Sequence, residues 1–197
     1  TLNAGAQLAM MEGADRTYEY VQNMAEFFRY NVKKGDEIVT LREEIELVDN
    51  YIYILNVRFS GDIHYEKKLD KSLLNVQMPS MILQPIVENC VNHGIREMAG
   101  EGKIFLSVYR IDDVVCVSIK DNGKGMSEDT IRKVLSGTYR EQELAAGSNG
   151  IGMDNVIARL KLFMETEDVI SIISEGENCG TEVILYLQMK EREEDDV

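Results

Sequence analysis

Asp121-Asn122-Gly123-Lys124-Gly125-Met126 is the stretch from which the fold of this chain can be read outward. Before it runs Val114-Val115-Cys116-Val117-Ser118-Ile119-Lys120, which alternates well enough to form a strand. The strand ends on a carboxylate, and two glycines follow. Glycine lets the backbone turn sharply and lets a ligand approach where a Cβ would clash. A carboxylate at a strand end accepts readily from an exocyclic amine such as that of adenine. Asp-Asn-Gly is also a common turn, so the stretch by itself leaves both readings open.

Two further stretches favour the ligand. Gly147-Ser148-Asn149-Gly150-Ile151-Gly152 leads into Met153-Asp154-Asn155-Val156-Ile157-Ala158-Arg159-Leu160, a glycine-rich loop opening a helix. Free N–H groups and the dipole at a helix start suit phosphate oxygens. Upstream, Val87-Glu88-Asn89-Cys90-Val91-Asn92-His93-Gly94 reads as the end of a helix carrying neutral polar groups. The Asn89 amide oxygen can complete a Mg²⁺ shell shared with phosphates, because Mg²⁺ takes few protein ligands and keeps its waters.

The ordered set of Asn89 on a helix, Asp121-x-Gly123-x-Gly125, Gly150-x-Gly152 and Gly180-Thr181 resembles the Bergerat-type ATP-binding fold of sensor histidine kinases, DNA gyrase, Hsp90 and MutL. The flanks are similar to the LytS-type sensor histidine kinases. They include Leu83-Gln84-Pro85-Ile86-Val87-Glu88-Asn89, Asn92-His93-Gly94-Ile95, Gly150-Ile151-Gly152-Met153-Asp154-Asn155-Val156-x-x-Arg159-Leu160, Phe28-Arg29-Tyr30, Leu41-x-Glu43-Glu44 and Arg58-Phe59. The resemblance implies an α+β fold. Residues 1–60 would be a helical hairpin used for dimerisation and phosphotransfer. Residues 61–190 would be an α/β sandwich of the GHKL ATPase type, with a mixed sheet and helices on one face. Residues 191–197 would be an acidic tail.

The cofactors so implied are ATP and Mg²⁺. Asp121 would accept the adenine amine, with Thr181 behind it holding a bridging water and Gly123, Gly125 and Met126 leaving room for the ring. Asn89 would bind Mg²⁺. Asn92 and His93 would reach phosphates or ribose, and Gly150, Ile151 and Gly152 would give donors to the phosphates. Lys124 and Arg140 could add charge. Two positions depart from the wider pattern. Pro85 stands one turn before Asn89, where many members carry an acidic base, which argues against gyrase-like hydrolysis. Asn92 stands where the resembling kinases usually have Lys.

Composition sets outer bounds. The chain has 197 residues, is 44% hydrophobic and carries a net charge of −14. That charge disfavours a nucleic-acid groove, which needs a basic stripe. Cys90, Cys116 and Cys179 fit reduced thiols better than a disulfide framework or a zinc site. No apolar run is long enough to span a bilayer, so no membrane contact is expected of these residues. The expected setting is the cytoplasmic part of an inner-membrane receptor.

In chain order, residues 1–34 read as one helix, with Leu2, Ala6, Ala9, Gly13, Tyr20, Met24 and Phe27 at heptad spacing. Thr40 caps a second helix through a capping box with Glu43. Leu41, Ile45, Val48, Ile52, Leu55 and Phe59 form its stripe. A dimeric four-helix bundle would bury both stripes; packing on the chain's own domain is the other solution. Residues 63–69 read as a strand, Pro79 to about Glu97 as a helix, and Ile104–Tyr109 with Val114–Ile119 as a hairpin. Ser127 caps a short helix to about Leu135. Residues 136–149 lack an apolar period and read as a lid over nucleotide. A helix from 151 and two closing strands, 169–174 and 181–189, complete the chain.

In LytS-type kinases the phosphoacceptor histidine precedes a Thr-Leu-Asn, and this chain begins Thr1-Leu2-Asn3. The acceptor is therefore expected about five residues upstream of Thr1, by family analogy. The chain's own histidines are His64 and His93. A fragment of this kind would bind ATP without phosphorylating itself. In the complete protein the group would pass to the histidine and then to an aspartate of a response regulator docked on the hairpin. The competing functions are an inactive nucleotide-binding scaffold and another ATPase of the fold.

Overall fold

The computed structural model describes residues 2–33, 37–59, 63–95, 98, 100–137 and 152–188. In chain order the elements are α1 (Leu2–Met11), α2 (Asp15–Lys33), β1 (Ile38–Thr40), α3 (Leu41–Arg58), β2 (Ile63–Leu69), β3 (Gln77–Pro79), α4 (Leu83–Asn89), β4 (Gly102–Ile111), β5 (Val114–Asp121), α5 (Glu128–Leu135), α6 (Met153–Met164), β6 (Ile170–Ile173) and β7 (Thr181–Gln188). A π-helical turn, Cys90–Ile95, continues α4.

Five strands form a mixed sheet in the order β2-β4-β5-β7-β6. β2 runs parallel to β4, and the other pairs are antiparallel. Alternation decides which face is covered. Ile104, Leu106 and Val108 of β4, Val115, Val117 and Ile119 of β5, and Val183, Leu185 and Leu187 of β7 are buried on one face. They share one core with Ile86 and Val87 of α4 and Val156, Ile157 and Leu160 of α6. The other face carries Lys103, Phe105, Lys120 and Ile173, all exposed. The expected α+β sandwich with helices on one face is present.

α3 belongs to this core. Leu41, Ile45, Val48 and Ile52 lie in the same cluster as the sheet and α4. Thr40 opens α3 with the expected capping box: its hydroxyl accepts from the Glu43 N–H at 3.3 Å, and its own N–H donates to Glu43 Oε2 at 2.8 Å. At the far end the Asn56 side chain both accepts from the Ile63 N–H and donates to the Ile63 carbonyl, each at 3.0 Å, fixing the start of β2. α2 lies against α3, with Phe27 stacked on Tyr51.

Three local expectations are corrected. Residues 2–33 are two helices, because Gly13 takes a left-handed conformation (φ +69°) and the Ala14 N–H closes back on the Ala9 carbonyl at 2.8 Å. Heptad spacing runs through this break because apolar periodicity is blind to a helix stop. Second, Pro79 does not open a helix. It ends β3, which pairs antiparallel with β1, and three-residue strands are too short to show a period. Third, α4 starts only at Leu83, so Pro85 falls in its first turn, where a missing N–H costs no intrahelical bond. Among expected features, most of the 136–149 lid, Arg140, Gly150, Ile151 and the 191–197 tail lie outside the described residues.

Candidate nucleotide-binding site

β5 ends on Asp121, whose side chain is buried at 4% exposure. Its carboxylate accepts from the Gly123 N–H at 2.8 Å, the Cys90 thiol and the Thr181 N–H. Burial raises its pKa above the usual carboxylate value, and those three donors oppose the rise. Thr181 is the cross-strand partner of Asp121 on β7, so the two are neighbours by register. Asn122 ties the turn to the sheet: its Oδ1 accepts from the Lys103 N–H at 2.7 Å, and its Nδ2 donates to the Glu101 carbonyl at 2.9 Å.

The two glycines of the motif serve the protein before any ligand. A Cβ on Gly123 would lie 2.2 Å from the Gly94 carbonyl carbon. One on Gly125 would lie 2.0 Å from the Gly176 oxygen, and Gly125 also has φ +69°. Backbone crossing at both positions is thus one reason for glycine that does not depend on a ligand. Lys124, exposed, donates its N–H to the Gly94 carbonyl at 3.2 Å, and the Met126 N–H donates to Ser174 Oγ at 2.9 Å.

The α4 turn lies directly on this strand end. Cys90 is buried and keeps its thiol proton as a hydrogen-bond donor toward Asp121, with burial first and the carboxylate charge second pushing its own pKa well up. Gly94 is so close that a Cβ there would sit 2.9 Å from Asp121 Oδ1. Asn89, half-buried, is the last residue of α4 and adjoins Cys90. Asn92 and His93 are exposed on the π-helical turn that follows. Gly152 is the N-cap of α6 and takes extended backbone angles, leaving the helix start without a side-chain cap. The structure thus sets Asp121 against Gly123, Thr181, Cys90 and Gly94, with Asn89 next to Cys90 in the chain.

Three residues escaped the sequence reading. Cys90 reads as a core thiol, and only its place one residue after Asn89 hinted at more. Arg159 Nη1, from α6, donates to the Ser80 carbonyl at 2.8 Å just before α4. Glu44, from α3, is fully buried and accepts from the N–H groups of Met81, Ile82 and Leu83. A distinct cleft of about 340 Å³, lined by Val114, Cys116, Tyr186 and Gln188 among others, lies at the opposite end of β5 from Asp121.

Among the described residues, no group of three or more His, Cys, Asp or Glu side chains is placed to hold a metal ion. Asn89 carries one neutral amide oxygen, a donor type that Mg²⁺ accepts beside phosphates and water.

Residues 79–191 match the family model described as histidine kinase-, DNA gyrase B-, and HSP90-like ATPase. The chain belongs to that family. Residues 1–63 match the histidine kinase model. The sensor histidine kinase BtsS of Escherichia coli (strain K12) is 29% identical over 90% of this chain. The sensor protein LytS of Oceanobacillus iheyensis is 27% identical over 87% of it. In each case the chain spans 29% of the relative's length. Among solved structures, the catalytic domain of histidine kinase ThkA superposes with a TM-score of 0.56 at 18% identity, covering 78% of this chain and 95% of that one. ThkA in complex with the response regulator protein TrrA gives 0.53 at 19% identity, over 79% of this chain and 42% of that one. The chain thus carries an ATPase domain of this family and, over most of its length, is similar to part of sensor histidine kinases. No described helix is long and apolar enough to cross a membrane.

Proposed function

We propose that this chain binds ATP with Mg²⁺ between Asp121 and Asn89 and, within the longer protein, presents the γ-phosphoryl group to a histidine. The observation that carries this is the buried Asp121 carboxylate with the Asn89 turn packed onto it through Cys90 and Gly94. Asp121 accepts the adenine N6 amine and rejects guanine, whose carbonyl oxygen would face a carboxylate. Thr181 backs Asp121, and Gly123, Gly125 and Met126 shape the turn beside the ring. Asn89 supplies an oxygen to Mg²⁺. Asn92 and His93 face the phosphates or ribose, Gly152 offers a backbone donor at the start of α6, and Gly150 and Ile151 precede it in the sequence as further donors. When bound, Mg²⁺ neutralises charge on the transferring phosphoryl group.

His64 lies on β2 and His93 on the turn after α4, neither on the helices that precede the sheet. Acceptance by a different histidine is what the resemblance to LytS-type kinases implies. On the same ground the complete protein is a dimer through its helical region. It serves a response regulator at that region and acts on the cytoplasmic side of a membrane.

The test is calorimetric titration with ATP and Mg²⁺. Asp121→Asn weakens binding by about 1.5–3 kcal/mol, the range for a hydrogen bond to a charged group. Equal affinity in wild type and variant, or no binding by the wild type, defeats the proposal.

A further inference from the structure

α4 is seven residues long and has no cap of its own. Ile82, at its N-cap, offers no side-chain oxygen, and Met81 before it is held at φ +58°, a conformation that non-glycine residues rarely take. The N–H groups that a helix start leaves without partners are met from a distance instead. Glu44 Oε1 accepts from Met81 at 2.7 Å, and Oε2 accepts from Ile82 at 2.8 Å and Leu83 at 2.9 Å. A fourth donor, the Tyr30 hydroxyl of α2, reaches Oε1 at 2.8 Å. The carboxylate is fully buried. A buried charge of this kind is tolerable only with such a complete set of donors, and a negative charge suits a helix start. On the other side, Arg159 holds the Ser80 carbonyl.

Asn89 lies at the far end of this same short helix, about 9 Å from Leu83 at 1.5 Å per residue. A rigid rod of that length transmits any shift of its start to its end. We infer that Glu44 is a positioning residue for the nucleotide site: it sets the place of Asn89 through the first turn of α4, and Tyr30 orients it. This rests on the reading that Asn89 meets Mg²⁺. It ties two regions that match separate family models, since Tyr30 and Glu44 lie within 1–63 and Asn89 within 79–191.

The experiment is ATP titration of the full chain with Mg²⁺ and with EDTA, comparing wild type, Glu44→Gln, Tyr30→Phe and, as a control, Glu43→Gln. Glu44→Gln keeps the shape but turns an amide N–H toward backbone donors. It should cut the Mg²⁺ enhancement of ATP affinity about tenfold, the scale for loss of an outer-shell partner. Tyr30→Phe should cut it in the same direction by less. Neither should change the Mg²⁺-free affinity, which Asp121 governs, and Glu43→Gln should change neither quantity. General loosening of the fold would lower both affinities together, so the ratio separates positioning from stability. Should Glu44→Gln not fold, Tyr30→Phe decides. Folded variants with the full Mg²⁺ enhancement overturn the inference. A wild type that binds ATP but gains nothing from Mg²⁺ removes the Asn89 reading itself, and this inference with it.

Discussion

α1 and α3 share a sequence signature and meet different fates. Each carries apolar residues at heptad spacing. α3 places Leu41, Ile45, Val48 and Ile52 in the core beneath the sheet. α1 buries only Ala6 and Ala9, and leaves Leu8, Met10 and Met11 exposed. The difference lies in anchoring. α3 is capped by Thr40 and Glu43, preceded by a strand that pairs with β3, clamped to β2 by Asn56 and bonded to α4 by Glu44. α1 packs on α2, where Gly5 faces Val21, and ends at the Gly13 turn. Periodicity announces an apolar face; it does not say what covers it. For the α3 stripe the cover is the chain's own ATP-binding fold.

The severest way to break this comparison is to cut between the two helices. Burial of Leu41, Ile45, Val48 and Ile52 contributes about 1.5–3 kcal/mol each, together about 6–12 kcal/mol. That matches the whole stability of an ordinary domain, about 5–15 kcal/mol. A chain of residues 61–190, the boundary that sequence reading suggests for the ATP-binding domain, should therefore lack a cooperative thermal transition by circular dichroism. A chain of residues 37–190, which keeps α3, should melt cooperatively. Equal melting of the two would show that α3 is as peripheral as α1.

A smaller effect separates the adjacent acids of α3. Glu43 works at the surface as half of a capping box, and its loss to Ala should cost about 0.5–2 kcal/mol. Glu44→Ala takes the acceptor from the backbone N–H groups of Met81, Ile82 and Leu83. At about 1–3 kcal/mol for each group left unmade, with partial relief by rearrangement, the cost should reach about 3–5 kcal/mol. Urea denaturation of the two variants measures the contrast, and equal midpoints would mean that Glu44 is no anchor.

What the sequence disclosed follows the range of the forces involved. Strand β5 with its terminal Asp121, the β4–β5 hairpin, the Thr40–Glu43 box and the Ser127 cap are all local, and all are present. The approach of Thr181 and of the Cys90–Gly94 turn to Asp121 was legible only through the order of motifs, because residues far apart in the chain meet there. Glu44 was invisible in its role, since its partners lie 37 to 39 residues away and depend on how α3 packs. The same holds for the late start of α4, whose cap comes from another helix. The glycines were found for an incomplete reason: their partners at Gly94 and Gly176 are backbone atoms that no motif names.

The mildest test concerns the turn that makes α1 a separate helix. Gly13 has φ +69°, and a Cβ there would meet nothing within 4 Å. The cost of Gly13→Ala is therefore conformational alone, about 1–2 kcal/mol for a left-handed alanine. Alanine also favours a helix interior over glycine by about 1 kcal/mol. Both terms push α1 and α2 away from the folded-back turn and toward one continuous helix, the shape that heptad spacing over residues 1–34 describes. Nothing in the substitution touches α3, Glu44 or α4. Small-angle scattering should report a longer particle, and ATP affinity should stay at the wild-type value. A fall in ATP affinity would mean that α1 reaches the site through α2, and that the two helices differ in degree rather than in kind.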